Sequence, residues 1–219
     1  MQILKKKVVG ISGVARAGKD TFAAILERKI AEQGKTSLKI ALASPLKKDC
    51  AAFLERYLNV DVYTQIKAEK DLIRPLLVWY GDAQRKRTNG RHWIEIANKK
   101  IDETDHDYYI ITDIRYDAYE KDELYWVKNE RGGVVCHVSK WFTESIPPIS
   151  DFSELRPREI VQFVQPANEH EQINDPKVKD KADFVVEWPH VLINPGVDLL
   201  THPVLNKYVD DFIATIKLF

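Results

Sequence analysis

The sequence predicts a three-layer α/β/α fold, in which helices cover both faces of a largely parallel sheet. Short apolar runs rich in β-branched residues alternate along the chain with segments of helical spacing, an arrangement typical of parallel sheets. A glycine-rich turn and an aspartate, Asp113, directly follow two of these runs. Since ligands bind at the carboxyl ends of the strands in such sheets, the same pattern predicts where a functional site lies.

Five buried strands are predicted from these apolar runs, at residues 8–12, 37–43, 108–112, 134–139 and 183–187. A helix is expected from Lys19 until Gly34 ends it. The 3.6-residue spacing of apolar side chains predicts further helices at about 45–58, 65–80, 84–101, 117–129 and 203–217. We expect a single domain over 1–219, with a helical insert at about 45–101.

Residues 141–182 are rich in Pro, Asp, Glu and Asn and show little periodicity. This composition predicts a mobile loop or a lid-like region.

The bulk composition excludes some classes of protein. The 219 residues contain 33 Lys plus Arg and 33 Asp plus Glu, which gives no support for a generic nucleic-acid binder. The two cysteines, Cys50 and Cys136, lack zinc-ligand spacing and fit a reducing compartment. The apolar stretch near the start is too short for a signal peptide or a membrane span, so a cytoplasmic protein is expected.

The segment from Gly13 to Thr21, GVARAGKDT, matches the pattern GxxxxGK of a phosphate-binding loop. A predicted strand precedes it and an amphipathic helix begins at the lysine, as the mechanism requires. Backbone N–H groups and the helix N-terminus would then surround phosphate oxygens, and Lys19 would reach the β- and γ-phosphates. The sequence thus predicts a P-loop NTPase fold with ATP as ligand. The predicted contacts with ATP are made by Gly13, Ala15, Ala17, Gly18, Lys19, Asp20 and Thr21.

One position departs from the usual loop, because Asp20 follows the lysine and the hydroxyl residue comes one position later, at Thr21. Asp20 and Thr21 are the candidate ligands of Mg²⁺. For Asp20 an alternative stays open, since a carboxylate in the first turn also stabilises a helix N-terminus.

The arginines favour a phosphotransferase over a GTPase switch. No NKxD motif is present, because neither Asn98-Lys99 nor Asn206-Lys207 has an aspartate two residues after the lysine. Phosphoryl transfer between two anions requires positive charge around the transferred group, and the planar guanidinium grips phosphate in a bidentate manner. Arg16 in the loop and Arg115 just after a strand are the best placed. Further candidates are Arg74, Arg85, Arg87, Arg91, Arg156 and Arg158.

Four motifs resemble the phage-type deoxynucleoside monophosphate kinases over roughly residues 8–140. In chain order they are GVARAGKDT, IRPLLVWYGDAQR, GRHW and IITDIRY. The resemblance implies an adenylate-kinase-like fold with acceptor-binding and lid parts, ATP as donor and a deoxynucleoside monophosphate as acceptor. It implies that Arg74, Arg85 and Trp93 line the acceptor site. It also implies that Asp113 and Arg115 lie near the reacting phosphates or the acceptor.

Two alternative functions stay open at this point. A P-loop kinase for another phosphorylated metabolite, of the phosphomevalonate or dephospho-coenzyme A type, would need the same arginines. A nucleotide-binding regulatory module without transfer activity would account for the unusual Asp20. Neither nucleic acid nor a membrane is expected as a partner, and a homodimer is an open alternative. The resemblance implies a location in a bacterial or phage-infected cytoplasm.

Overall fold

The computed structural model describes residues 7–146, 158–191 and 198–219. Within them six strands form one sheet. They are β1 (Lys7–Ser12), β2 (Ser37–Ala41), β3 (Tyr108–Ile114), β4 (Val134–Ile146), β5 (Arg158–Phe163) and β6 (Phe184–Pro189).

Five of the six strands are parallel. β2, β3, β1 and β4 lie side by side in that order, and β6 joins the other edge of β4. β4 continues beyond the end of β1, and its last residues pair with the antiparallel strand β5. The predicted parallel α/β sheet is therefore confirmed, with an antiparallel hairpin added at its carboxyl edge.

Seven helices connect these strands within the described residues. They are α1 (Lys19–Glu32), α2 (Ala43–Leu58), α3 (Lys67–Arg87), α4 (Arg91–Glu103), α5 (Glu123–Tyr125), α6 (Glu169–Lys181) and α7 (Pro203–Ile216). A π-helical turn, Trp126–Glu130, extends the short α5. None of the helices in these residues combines the length and apolar character that a bilayer span requires.

Two apolar cores cover the two faces of the sheet, which gives the predicted three layers. On one face Phe22 of α1 and Phe212 of α7 pack over alternate residues of β1 such as Val9. On the other face Ile94 of α4 and Trp126 pack over the intervening strand residues. Because successive strand side chains point to opposite faces, one apolar run such as β1 supplies both cores.

Helices α2 and α3 form a separate small core of their own, around Leu54 and Ile73. They are part of the helical insert predicted at about 45–101. Gly90, with a φ of 87°, separates α3 from α4, so the helix predicted from residue 84 begins instead at Arg91.

Two sequence-based predictions are wrong. The helix expected at 117–129 is an irregular turn as far as Asp122, followed by α5 and the π-helical turn. The loop expected at 141–182 contains the end of β4, the strand β5 and the helix α6. Residues 147–157 lie outside the described part of the chain, and a lid role for this region stays a prediction.

Candidate active site

The loop between β1 and α1 fits its surroundings only because glycines stand at both ends. Gly13 has a φ of 130°, and a Cβ atom there would lie 2.2 Å from the carbonyl oxygen of Val138 on β4. Gly18 has a φ of 98°, and a Cβ atom there would lie 2.5 Å from the indole of Trp188. The Trp188 Nε1 atom donates a hydrogen bond to the carbonyl of Ala17 at 2.8 Å. The loop is thus held against β4 and β6 in one conformation.

Lys19 begins α1 and lies inside the loop. Its Nζ atom donates to the carbonyl oxygens of Gly13 at 2.7 Å and Val14 at 2.9 Å, and the side chain is buried. Burial lowers the pKa of Lys19, and the nearby Arg115 charge lowers it further. Desolvation of this kind leaves the ammonium in need of anionic partners, which phosphate oxygens provide.

The other loop residues differ in exposure. Arg16 and Asp20 are exposed, and Thr21 is half-buried in the first turn of α1. Arg16 has a φ of 68°, and its charge lowers the pKa of Lys140 in addition to the effect of burial. Lys140 of β4 therefore adds a cation beside Arg16, one that sequence analysis did not single out.

Asp113 and Arg115 lie at the carboxyl end of β3, as predicted. The β1–β3 pairing is irregular there, and Asp113 adopts a φ of 68°, which is uncommon for a residue other than glycine. The Arg115 guanidinium lies 3.5 Å from the Asp113 carboxylate and 2.5 Å from that of Glu171. Burial alone would lower the pKa of Arg115, but these two carboxylates raise it above its ordinary value. Arg115 is therefore a fixed positive charge.

Glu171, on the first turn of α6, completes this cluster. Its Oε2 atom accepts hydrogen bonds from the backbone N–H groups of Ala15, at 3.1 Å, and Ala167, at 2.9 Å. Its Oε1 atom accepts from Arg115. One carboxylate thus joins the phosphate loop, the end of β3 and the start of α6.

Arg85 of α3 forms a second, deeper cluster. Its guanidinium donates to both carboxylate oxygens of Asp122, at 2.9 and 2.7 Å, and to Glu123 at 2.9 Å. It also lies 3.7 Å from the ring centroid of Tyr116. Glu123 in turn accepts the backbone N–H groups of Arg115 and Tyr116. The hydrogen bonds of Arg85 thus organise the turn after β3.

A cavity of about 320 Å³ opens between the phosphate loop and helices α2, α3 and α4. Its walls include the predicted residues Ala15, Arg74, Arg85, Trp93, Asp113 and Arg115. Trp93 is buried, and its Nε1 atom donates to the carbonyl of Gly81 at 3.4 Å. Arg74 is exposed at the wall and lies 3.4 Å from Asp71. The cavity therefore brings together every residue predicted for the acceptor side.

Several lining residues were missed by sequence analysis, namely Lys47, Tyr116, Asn168 and Glu171. Tyr116 directly follows the predicted Arg115. Asn168 and Glu171 have the spacing of a helix-capping pair, which is a detectable signal. Lys47, on the inner face of α2, has no sequence signal beyond its charge. The side chains of Arg156 and Arg158 lie outside the described part of the chain.

A preformed metal cage is absent from the described residues, where no group of three or more His, Cys, Asp or Glu side chains is placed to hold an ion. The site still fits Mg²⁺, because this ion keeps several waters and binds through one or two protein oxygens plus substrate phosphates. Asp20 and Asp113 both lie close enough to Lys19 to raise its pKa against the effect of burial. Carboxylates are thus available beside the loop lysine.

The model of the phosphomevalonate kinase family matches residues 11–131, which is more than half of the chain. The chain belongs to the phosphomevalonate kinase family. The match begins in β1 and ends after the π-helical turn, so it includes the phosphate loop, the helical insert, Asp113, Arg115 and the Arg85 cluster. The sequence-based prediction of a P-loop kinase, and hence a phosphotransferase, is confirmed. The deoxynucleoside monophosphate acceptor stays a prediction, and the phosphomevalonate-type alternative gains support.

Solved structures similar to this kinase include two of the APS kinase CysC from Mycobacterium tuberculosis. One is a cysteine-to-alanine mutant, with a TM-score of 0.37, and the other is a complex with AMPPNP and APS, with a TM-score of 0.38. Each is 13% identical, and the alignments cover 97% of this chain and 98% of the other. Likeness at this level supports no conclusion about substrate. No curated protein sequence matches the chain.

Proposed function

We propose that this protein transfers the γ-phosphoryl group of ATP to the phosphate of a small acceptor, a deoxynucleoside monophosphate. The observation that supports this most is the cavity beside the phosphate loop, with Arg115 at the boundary between them. In-line transfer between two phosphates requires that donor and acceptor lie side by side with positive charge between them. The loop, the cavity and Arg115 are arranged in this way.

On the donor side, the loop N–H groups, the N-terminus of α1 and Lys19 would hold the β- and γ-phosphates. Mg²⁺ would be held through Thr21 and Asp20 or Asp113, and when bound it supplies charge neutralisation between the phosphates. Arg16 and Lys140 lie close together beside the loop and would add positive charge to the donor.

On the acceptor side, the attacking group is a phosphate oxygen, which is already ionised at neutral pH and needs no general base. Arg115 would lower the repulsion between this oxygen and the γ-phosphate. Arg74 and Lys47, both on the cavity wall, would bind the remaining acceptor phosphate oxygens.

The rest of the cavity favours a flat, uncharged group such as a nucleobase. Leu46, Leu77 and Val78 line it together with the indole of Trp93. Apolar walls bury a base well, and a few polar groups such as Asp82 would fix its orientation. This lining is the reason for preferring a nucleotide to a smaller, doubly charged acceptor.

The second candidate acceptor is phosphomevalonate, which the family match favours. This molecule carries a carboxylate as well as a phosphate, so it needs two separate cationic contacts. Lys47 on α2 and Arg74 on α3 lie on different elements of the cavity wall, so one could bind the carboxylate and the other the phosphate.

A coupled ADP-release assay with Mg·ATP decides between these acceptors. Each deoxynucleoside monophosphate, phosphomevalonate and dephospho-coenzyme A are tested in turn, with a control that lacks acceptor. We expect ADP release that depends on one or more deoxynucleoside monophosphates. Release with phosphomevalonate alone would replace the proposed acceptor by the second candidate. ATP binding without turnover on any acceptor would favour the regulatory-module alternative.

A further inference from the structure

Among the residues that the structure describes, Glu171 is the one carboxylate that hydrogen-bonds to both the phosphate loop and Arg115. Its two oxygens have different partners. Oε2 accepts hydrogen bonds from the N–H groups of Ala15 and Ala167, and Oε1 accepts one from the Arg115 guanidinium. The distance between Glu171 and Arg115 is 2.5 Å, whereas Asp113 lies 3.5 Å from the same guanidinium. The orientation of the Arg115 side chain is therefore set mainly by Glu171 of α6.

The carboxylate of Glu171 is itself held firmly. The side chain is buried, and Asn168 caps α6 by accepting the backbone N–H of Glu171 at 2.9 Å. Burial by itself raises the pKa of Glu171, but the N–H groups of Ala167 and Ala15 and the charge of Arg115 outweigh it, and the pKa lies below its usual value. Glu171 is thus an anion at neutral pH.

Helix α6 is fixed to the sheet by polar contacts as well. Asp175, one turn after Glu171, lies 3.1 Å from the Nε2 atom of His137 on β4. His137 pairs in register with Ser12, the last residue of β1 before the loop. Two acidic residues on one face of α6 therefore contact the loop and the strand beside it, which gives Glu171 a rigid support.

We propose that Glu171 is a positioning residue that holds the Arg115 guanidinium between the phosphate loop and the acceptor cavity. This inference rests on the proposed phosphotransferase function and names a residue that acts through Arg115. Its effect is expected on the transfer step more than on ATP binding, because the loop keeps its glycines, Lys19 and the helix N-terminus without it.

Glu171→Gln is the variant that tests this role, because glutamine has the same shape and keeps one oxygen for the N–H groups of Ala15 and Ala167. Its amide would face Arg115 without a negative charge. Glu169→Gln is the matched control, since Glu169 lies two residues earlier in α6, carries the same charge and is exposed. We expect Glu171→Gln to lower kcat about 10- to 100-fold, with the KM for ATP changed less than about threefold.

A double-mutant cycle separates positioning from a merely structural role. Glu171→Gln should lower kcat in the wild-type background and have almost no further effect when Arg115 is already Ala. Equal losses in both backgrounds would show that Glu171 does not act through Arg115. A kcat within twofold of the Glu169→Gln control would likewise overturn the inference.

Labelling of Arg115 with phenylglyoxal gives a readout that does not need turnover. The full-length protein is labelled, and mass spectrometry of its peptides gives the labelling rate at Arg115. We expect this rate to rise at least about fivefold in Glu171→Gln, because the charge-assisted pair is lost. The rate should not rise in Glu169→Gln. An unchanged rate would contradict the inference even in an active enzyme. If the wild type transferred phosphate to no acceptor, the proposed function would fail, and labelling would still decide whether Glu171 holds Arg115.

Discussion

At the scale of single residues, Lys19 combines burial with two hydrogen bonds to the carbonyls of its own loop. Burial and Arg115 destabilise its charge, and the pKa of Lys19 lies below the usual value. A residue in this state contributes little to the stability of the fold but gains strongly from contact with phosphate. Binding and stability therefore respond differently to its removal.

Lys19→Ala should lower acceptor-dependent ADP release by at least about 100-fold, since it removes the positive charge that would contact the β- and γ-phosphates. The midpoint of urea unfolding should change little, because a desolvated charge is removed. Lys99→Ala, at an exposed position of α4, is the control. Near-normal turnover in Lys19→Ala would contradict the assignment of the phosphate loop.

Glu123 is the residue with the clearest pH dependence. Burial raises its pKa from an ordinary 4.5 to about 7, against the effect of Arg85. The folded state thus binds the proton more tightly than the unfolded state. The resulting stability is present below about pH 4.5 and is lost as the pH rises through about 7.

Between pH 5 and pH 8 the free energy of unfolding of the wild type should therefore fall by up to about 3 kcal/mol more than that of Glu123→Gln, because the glutamine side chain does not titrate. Urea unfolding of both proteins at several pH values measures the difference. Comparing slopes removes any constant effect of the substitution. Parallel curves for the two proteins would show that Glu123 does not titrate in this range.

At the scale of elements, the Arg85 cluster joins α3 to the turn after β3. Arg85 pairs with Asp122 and Glu123, and these carboxylates accept the backbone N–H groups of the turn, among them those of Arg115 and Ala118. A helix of the helical insert is thereby connected to the backbone of Arg115. The orientation of this turn depends on buried ion pairs more than on its own helix propensity.

Arg85→Met should lower the free energy of unfolding by on the order of 3 kcal/mol, because it leaves the buried Asp122 carboxylate without its counter-charge and Glu123 without its guanidinium donor. Arg87→Met is the matched control, two residues later on the same helix and exposed. Urea unfolding at pH 7 measures both. Equal, small effects in the two variants would show that the buried pair contributes nothing to stability.

The elements differ in how far the sequence could predict them. The strand–loop–helix unit around Lys19 was predictable, because its glycines and its apolar spacing are local signals. The turn at 117–129 was not, since its conformation comes from Asp122 and Glu123 meeting Arg85 of another helix. The hairpin of β4 and β5 was also missed, because the adjacent apolar residues Ile160 and Val161 of β5 are both exposed, so the strand lacks apolar–polar alternation. Glu171 was missed because its partner Arg115 is distant in the chain.

At the scale of the whole molecule, the parallel sheet brings the ends of β1 and β3 together and so places the loop beside Asp113 and Arg115. This part of the site follows from the topology and was predicted. The cavity beside the loop depends on how α2, α3 and α4 pack over that edge, which no local pattern determines. Its arginines and Asp113 were found in advance from their chemistry and position after a strand, and the assignment of Arg74, Arg85 and Trp93 to one site came through a resemblance.

For the molecule as a whole we expect transfer of phosphate rather than its release to water, because the proposed donor and acceptor sites share Arg115. The most direct test follows the label from [γ-³²P]ATP during incubation with Mg²⁺ and a mixture of deoxynucleoside monophosphates. We expect the label to appear in a deoxynucleoside diphosphate as ADP forms. Label found only in inorganic phosphate, or remaining entirely in ATP, would contradict it.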